Sequence, residues 1–287
     1  MTAVSVIVGY ALRESLRRRI FHIVLLLSAA FLGLYALGAK QAFQEAREFA
    51  EGGPIGDVLD ETVLTGATLL GLAMFATLFL GAVLAVFLTL AVVRGDAERG
   101  ILQPLVVRPV GRSTLLASRF LAATAVCTLY VAALFAASAA ITYAIGGWWP
   151  DRFLVPALEL AAAVVVIVAL SLLGSIFLSA TANGIAIFML FGAGLVAGLL
   201  GQIGEALGSE TLTEIARWTS WALPFEALYQ DGLNAISSES FGLTAQALEL
   251  GPFGGAQAAG AWLVPWTLAY LASLAVLGLV AFARRDL

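Results

Sequence analysis

Six stretches of this chain run apolar, with Arg119 and Glu159, each close to an end, the only charges inside them: 20–39, 68–93, 115–145, 158–180, 185–203 and 261–283. All reach about 18 residues or more, the length at which a segment is read as crossing a bilayer. None shows the strict two-residue alternation of a membrane barrel. Helix is the state to expect, because lipid offers backbone amides no partner and each must bond within its own segment. The second and third stretches exceed about 20 residues, so they are expected to tilt or to project beyond the hydrocarbon. The pattern predicts an all-α, polytopic integral membrane protein, one transmembrane domain over 1–287.

Between the apolar stretches the charges are sorted. Arg13, Arg17, Arg18 and Arg19 precede the first, and Arg94, Arg99, Arg108, Arg112 and Arg119 surround the connection between the second and third. Arg284 and Arg285 follow the last. Basic residues stay on the cytoplasmic side, which places both termini there. Acidic residues collect in the opposite connections: Glu45, Glu48, Glu51, Asp57, Asp60 and Glu61 in the first, and Glu205, Glu210, Glu214, Glu226, Asp231, Glu239 and Glu249 in the segment 204–260. All six tryptophans also map to that outer face, where amphipathic rings anchor at headgroup level. The first stretch could be taken for a signal peptide, but it is longer than a typical signal core of about 7–15 residues and is read as a retained span.

Two segments outside the spans have character of their own. Residues 1–19 form an N-terminal segment whose Val4, Val8, Ala11, Leu12 and Leu16 share one helical side and whose Arg13, Glu14, Arg17 and Arg18 share the other. Such a helix can lie in the headgroup plane, or it can be a solvated lead-in with orienting charges. The segment 204–260 is acidic, yet it carries the apolar, aromatic run 218–229. That mixture predicts short helices that dip into the outer leaflet or pack on the bundle, followed by a loop rich in Gly, Ser and Gln.

Composition narrows the picture. Of 287 residues, 61% are hydrophobic and 12% charged, against about 45–50% and 25% in a soluble domain. The net charge of −4 gives no reason to expect nucleic acid. Cys127 is the single cysteine and His22 the single histidine. An internal disulfide is therefore impossible, and neither a cysteine cage nor a paired-histidine zinc site is expected. Lys40 is the only lysine, and it lacks the glycine pattern and the following Ser or Thr of a phosphate-cradling loop. No catalytic cluster and no resident metal or cofactor is expected, which argues against a membrane enzyme.

The spans are almost free of ionisable groups. Glu159, near the outer end of the fourth, is the best candidate for a held proton or cation, and an interfacial carboxylate is the plainer reading. An ion-coupled carrier is disfavoured, so the energy source is expected outside this chain. Ser171, Ser175 and Ser179 recur every four residues on the fourth span, and Gly194 and Gly198 form a small-xxx-small pair on the fifth. Close helix packing is the default meaning of such faces; a dimer seam or a substrate path is the functional alternative.

The connection 94–114 is charged first, then apolar, then punctuated. Ile101, Leu102 and Leu105 can share a face of a short helix, Pro104 suits only the start of a turn, and Pro109 disfavours helix at Arg108. Ser113 is an expected N-cap for the third span. A partly apolar knob of this kind needs cover, from a groove on a soluble partner or from the membrane surface.

The loop resembles the signature of the membrane subunits of type-2 ABC transporters: an acidic residue followed by Gly-Thr-Leu, then Leu-Leu, then Pro-Val-Ser-Arg. The matching positions are Glu98, Gly100, Leu102, Leu105, Pro109, Val110 and Arg112, with Ile101 in place of Thr and Gly111 in place of Ser. The amphipathic start, the Leu223-Pro224 run and the closing Phe282-Ala-Arg-Arg-Asp-Leu287 resemble other parts of the same family in the same order. The resemblance implies a permease subunit of an exporter in a prokaryotic cytoplasmic membrane, paired as a homodimer or with a second permease. It also implies two separate ATPase subunits that hold the ATP and Mg²⁺. Coupling would enter at 98–112, with Glu98, Arg99, Gly100, Leu102, Leu105, Arg108, Pro109 and Arg112 as contacts. A second cytoplasmic contact would come from a short turn at Thr181, Asn183 and Gly184. A membrane scaffold or assembly factor would share every composition argument.

Overall fold

A computed structural model describes residues 19–52, 60–90, 112–237 and 258–284, and all regular structure within them is helical. Of the sequence expectations, the interfacial helix up to residue 18 and the loop positions Glu98, Arg99, Gly100, Leu102, Leu105, Arg108 and Pro109 lie outside the described residues.

Among the described residues eight helices follow in order: α1 (Arg19–Gly52), α2 (Glu61–Thr89), α3 (Arg112–Gly146), α4 (Leu154–Phe177), α5 (Ala180–Leu207), α6 (Glu210–Ala222), α7 (Pro224–Ser237) and α8 (Leu263–Ala283). Six of them, α1 to α5 and α8, are long and apolar enough to cross a membrane. They correspond one for one to the six apolar stretches, with shifted ends.

The shifts have local causes. α1 continues past its apolar part through Gln41, Glu45 and Glu48, residues that favour helix, and Gln41 Nε2 donates to Glu45 Oε1 at 2.9 Å one turn on. Asp60 caps α2, its side chain accepting from Val63 N at 3.1 Å, and Glu61 opens the first turn. Much of the acidic first connection is therefore helical. α3 starts at Arg112, so Ser113 stands inside the helix rather than capping it. The cap is found elsewhere: Ser179 Oγ accepts from Ala182 N at 3.4 Å at the start of α5.

α2 and α4 form the centre. Of the most apolar part of α2, 67% is buried, and of α4, 61%, against 17% for α1 and 22% for α8. α4 packs on α2, α3, α5, α7 and α8, whereas α1 rests on α2 and α3 alone among its larger contacts. α2 and α4 are apolar all round, as enclosed helices are, but α8 is equally so and lies at the edge; the position is set by packing partners rather than by apolarity alone. α1 buries a single stripe, Val24, Ser28, Tyr35, Ala39 and Phe43, and leaves Ile23, Leu26, Leu34 and Leu37 bare on the other side. α8 does the same with Leu263, Thr267, Leu274 and Phe282.

Lipid tails are as apolar as leucine, so close packing and hydrogen bonds, rather than hydrophobic transfer, join helices here. Gly81 shows the closeness at the centre: a Cβ there would stand 2.7 Å from Val131 on α3 and 2.9 Å from Val164 on α4. Two hydroxyl rungs tie α1 to α3. Ser28 Oγ meets Tyr130 Oη at 2.6 Å, and Tyr35 Oη meets Thr142 Oγ1 at 2.6 Å.

The ends of the bundle differ. At one, Phe43 covers Gly146 and Trp148 covers Gly66, which brings together the end of α1, the start of α2 and the end of α3. Trp149 packs on Phe153 there, and Phe153 stacks on Phe135. At the other, Leu116, Ile176 and Phe282 close a small apolar cluster where α3 begins and α4 and α8 end.

Candidate functional site

Two polar sites stand out, one towards each end of α4. The first joins α2, α4 and α5. Thr89 Oγ1 donates to Ser171 Oγ at 2.6 Å and is within reach of the Ala85 and Val86 carbonyls. Asn183 Nδ2 donates to Ser171 O at 2.9 Å. All three residues are buried, and Gly174 leaves room for the Asn183 amide.

The expected turn at 181–184 is therefore the first turn of α5. Asn183 and Gly184 are buried in it, so of the three suggested contacts only Thr181 reaches the surface. The serine stripe divides likewise. Ser171 and Ser175 are buried within this chain, with Ser175 Oγ donating to Leu172 O at 2.7 Å, so neither lines a seam with a second copy. Ser179 is the exposed cap of α5.

The second site is built by α6 and α7. α5 ends in a left-handed turn at Gly208, φ 64°, with Ser209 N bonded to Gly204 O at 2.8 Å and Gly208 N to Glu205 O at 3.1 Å. This pattern satisfies the last carbonyls and reverses the chain, and glycine is the residue that adopts it without strain. α6 then runs back along α5, with Gly204 facing Leu212 and Thr213, and the start of α7 meets α5 further along, where Gly198 faces Glu226 and Gln230 and Gly194 faces Phe225. At Leu223 the helix breaks, and Pro224 opens α7, the position where proline's missing N–H and fixed φ do no harm. α7 returns along α4, with Gly232 against Glu159 and Pro156.

Each arm of this hairpin is about 20 Å long at about 1.5 Å per residue, too short to cross about 30 Å of hydrocarbon. It is a re-entrant wedge. Gly194 and Gly198 admit it: a Cβ on Gly194 would meet the Phe225 ring at 2.8 Å, and one on Gly198 would collide with the Glu226 carboxyl. Their small-xxx-small pair thus receives a segment of the same chain. Phe225 stacks on Phe191 with centroids 5.8 Å apart.

The wedge carries carboxylates into the bundle. Glu226 is 1% exposed. Its Oε2 accepts from Ser220 Oγ at 2.7 Å, and the Gln230 amide lies beside the same carboxyl. Glu226 Oε1 and Gln230 Oε1 have no hydrogen-bond partner. Burial pushes the Glu226 carboxyl above the ordinary carboxylate range, with Ser220 and Gln230 pulling the other way. Burial likewise raises the Tyr229 hydroxyl, helped by the nearby Glu226. Higher on α7, Asp231 faces Glu159 of α4, and Asp231 Oδ1 accepts from Ala259 N at 2.7 Å. Glu226 lies in the run 218–229 that the sequence expects to dip or to pack on the bundle, and it sits against α5; Asp231, counted with the acids of the outer segment, sits against α4.

Between α5, α6, α7 and the start of α8 lies a cavity of about 450 Å³. Its floor is formed by Gly198, Gly201, Glu226 and Gln230, and its rim by Trp221, Trp262 and Trp266 with Glu205, Glu214 and Arg217. Trp266 Nε1 donates to Trp221 O at 2.9 Å, and the two rings meet edge to face at 5.2 Å. The run 218–229 holds Glu226 and Trp221 together, but nothing in the sequence joined them to Trp262 and Trp266; the available signal was the amphipathic period of 224–237 behind a proline.

A family model described as ABC-2 family transporter protein matches residues 6–287, almost the whole chain. The chain belongs to this family. It is a multi-pass membrane protein and a type-2 ABC transport permease, the membrane part of a system that includes an ATPase partner. No match was found among curated proteins. The ABC-2 match takes in the loop 94–114, the central bundle and the re-entrant wedge together, so the wedge is part of the family's domain rather than an appendage. Among the described residues of this ABC-2 permease, no group of three or more His, Cys, Asp and Glu is arranged to hold a metal ion.

Proposed function

We propose that this ABC-2 permease forms the translocation path of an ATP-driven exporter and draws its power from two separate ATPase subunits, which carry the ATP and Mg²⁺. The family match along 6–287 carries this reading. The absence from the sequence of a phosphate-cradling lysine loop supports it, because ATP must then be hydrolysed on another chain. The permease works as a pair in a prokaryotic cytoplasmic membrane. Its arginine-rich connections and both termini face the cytoplasm, and the tryptophan-rich end with the wedge faces outward.

In this reading the loop 94–114 seats on the ATPase through Glu98, Arg99, Gly100, Leu102, Leu105, Arg108, Pro109 and Arg112, and Thr181 lies at the same face. Nucleotide moves the helices only so far as it binds one arrangement of the complex more tightly than another. α4 is the element through which such a movement would reach the wedge, since it packs on both the span that precedes the loop and on α7.

The experiment is co-purification of the tagged permease with its ATPase after Arg99→Glu and Arg108→Glu. The double variant should lose the ATPase while retaining its own fold in detergent. Retention of the ATPase at the unaltered ratio would refute the assigned contact. Substrate-stimulated ATP hydrolysis in lipid separates an exporter from a scaffold, which would show none.

A further inference from the structure

The cavity beside the wedge has a chemistry that the transport reading does not explain. Glu226 and Gln230 stand one turn apart on α7 and line its floor; Ser220 and Gln230 already bond the Glu226 carboxyl, yet Glu226 Oε1 and Gln230 Oε1 are each buried without a well-placed donor. Buried acceptors left unpaired cost free energy, and a native structure retains them where something else completes them. Both are acceptors, so the missing partner is a donor of N–H or O–H bonds. The charge lining the cavity is acidic: Glu205, Glu214 and Glu226 against Arg217, which is already paired with Glu214 at 3.5 Å. The rim is aromatic. Trp221 and Trp266 are held at a fixed angle by the Trp266 Nε1 bond, and Trp262 is 75% exposed beside them. Indole faces attract cations more strongly than other rings do. A volume of about 450 Å³ fits a small organic molecule.

We propose that this cavity binds a protonated primary or secondary amine, whose N–H groups complete Glu226 Oε1 and Gln230 Oε1 and whose apolar body lies against Trp221, Trp262 and Trp266. A quaternary ammonium has the charge but no N–H and completes neither oxygen. A neutral alcohol of the same shape can donate but does not balance the carboxylate. The ammonium has two sources, a soluble amine or the headgroup of phosphatidylethanolamine. The site belongs to the permease alone and is independent of the ATPase contact, so it can be tested without the ATPase.

The test is binding of phenethylamine to the purified permease in phosphatidylcholine nanodiscs, followed by calorimetry, with 2-phenylethanol and phenethyltrimethylammonium alongside. The amine should bind at least tenfold more tightly than the alcohol and several-fold more tightly than the quaternary ion. Glu226→Gln should remove most of the difference between amine and alcohol. Trp262→Ala, at an exposed position outside the packed core, should weaken the amine several-fold without lowering the melting temperature. Equal binding of amine and alcohol would overturn the proposal, as would undiminished amine affinity in Glu226→Gln. If Glu226→Gln does not fold, Trp262→Ala decides, and an unchanged affinity there overturns the site. Repeating the titration with phosphatidylethanolamine in the nanodisc identifies the source: competition supports a lipid headgroup in the site, and unchanged amine affinity supports a soluble amine.

Discussion

Ser171 and Glu159 sit towards opposite ends of α4 and meet polar neighbours in opposite ways. Around Ser171, hydrogen bonds reach across from two adjoining helices, Thr89 from α2 and Asn183 from α5, and Asn183 Oδ1 is the one buried oxygen there without a partner. Around Glu159 the neighbours are other acids or unpaired oxygens: Asp231 facing it, and Glu226 deeper on the same returning helix. One therefore acts as a fastening between spans, and the other is a place where binding or protonation can alter the energy. The same helix is rigidly specified at one end and left adjustable at the other.

The largest expected effect tests the fastened end. Asn183→Asp puts a carboxylate where the amide now donates to a carbonyl, and a buried charge left uncompensated costs about 3 kcal/mol or more. Reversible denaturation in mixed micelles should show a loss of about that size; a loss below about 1 kcal/mol would mean that this end is less closed than its hydrogen bonds imply. Gly194→Val comes next. Its side chain collides with Phe225 and should cost about 2 kcal/mol, as overpacking does, and displace the wedge. Cysteine accessibility at Ala227 should rise in the same variant.

The adjustable end is tested by pH. Burial holds the Glu226 carboxyl above its ordinary value, so in the window between about 4.3 and the raised value the folded chain binds more protons than the unfolded one. Stability is greatest below that window and falls as pH rises through it. Glu226→Gln should flatten this slope. The charged groups nearby, Glu205, Glu214, Arg217, Asp231 and Tyr229, remain in both proteins, so the difference between the two curves isolates Glu226. Parallel curves would show that this carboxyl is not set apart by burial. The smallest effect returns to the first region. Ser171→Ala should cost only about 0.6 kcal/mol, since Thr89 keeps the Ala85 carbonyl and Asn183 keeps the backbone of residue 171. A much larger loss would mean that the network acts as one unit.

The six spans could be read from sequence because each carries its own signal, an almost uncharged apolar run that no neighbour needs to confirm. Helix ends were less legible. The helical tail of α1 from Gln41 to Gly52 is polar, and a hydropathy boundary stops before it. The wedge was half legible: the apolar run 218–229 pointed to short helices, and Pro224 to a break. Its path was not, because it depends on contacts between residues distant in sequence, Phe225 with Gly194 and Gly232 with Glu159. The small residues were recognised and their partners were not. Gly194 and Gly198 were expected to meet another helix, and that helix proved to be the chain's own α7. Glu226 lies in the run expected to dip or pack, but its neighbours were not legible, since they depend on the distant glycine that makes room for it.

The rungs between α1 and α3 set an order of events during synthesis. Ser28 and Tyr130 are 102 residues apart along the chain, and Tyr35 and Thr142 are 107 apart. At about 5–20 residues per second, the ribosome needs several seconds or more to deliver the second half of each rung. The newborn first segment must wait in the bilayer for that interval with its hydroxyls unclaimed by the third. Ser28 has an interim partner, the Val24 carbonyl one turn behind it at 2.7 Å. Emergence of residues 130–142 from the exit tunnel is therefore the moment at which a loose pair of inserted segments becomes a registered assembly.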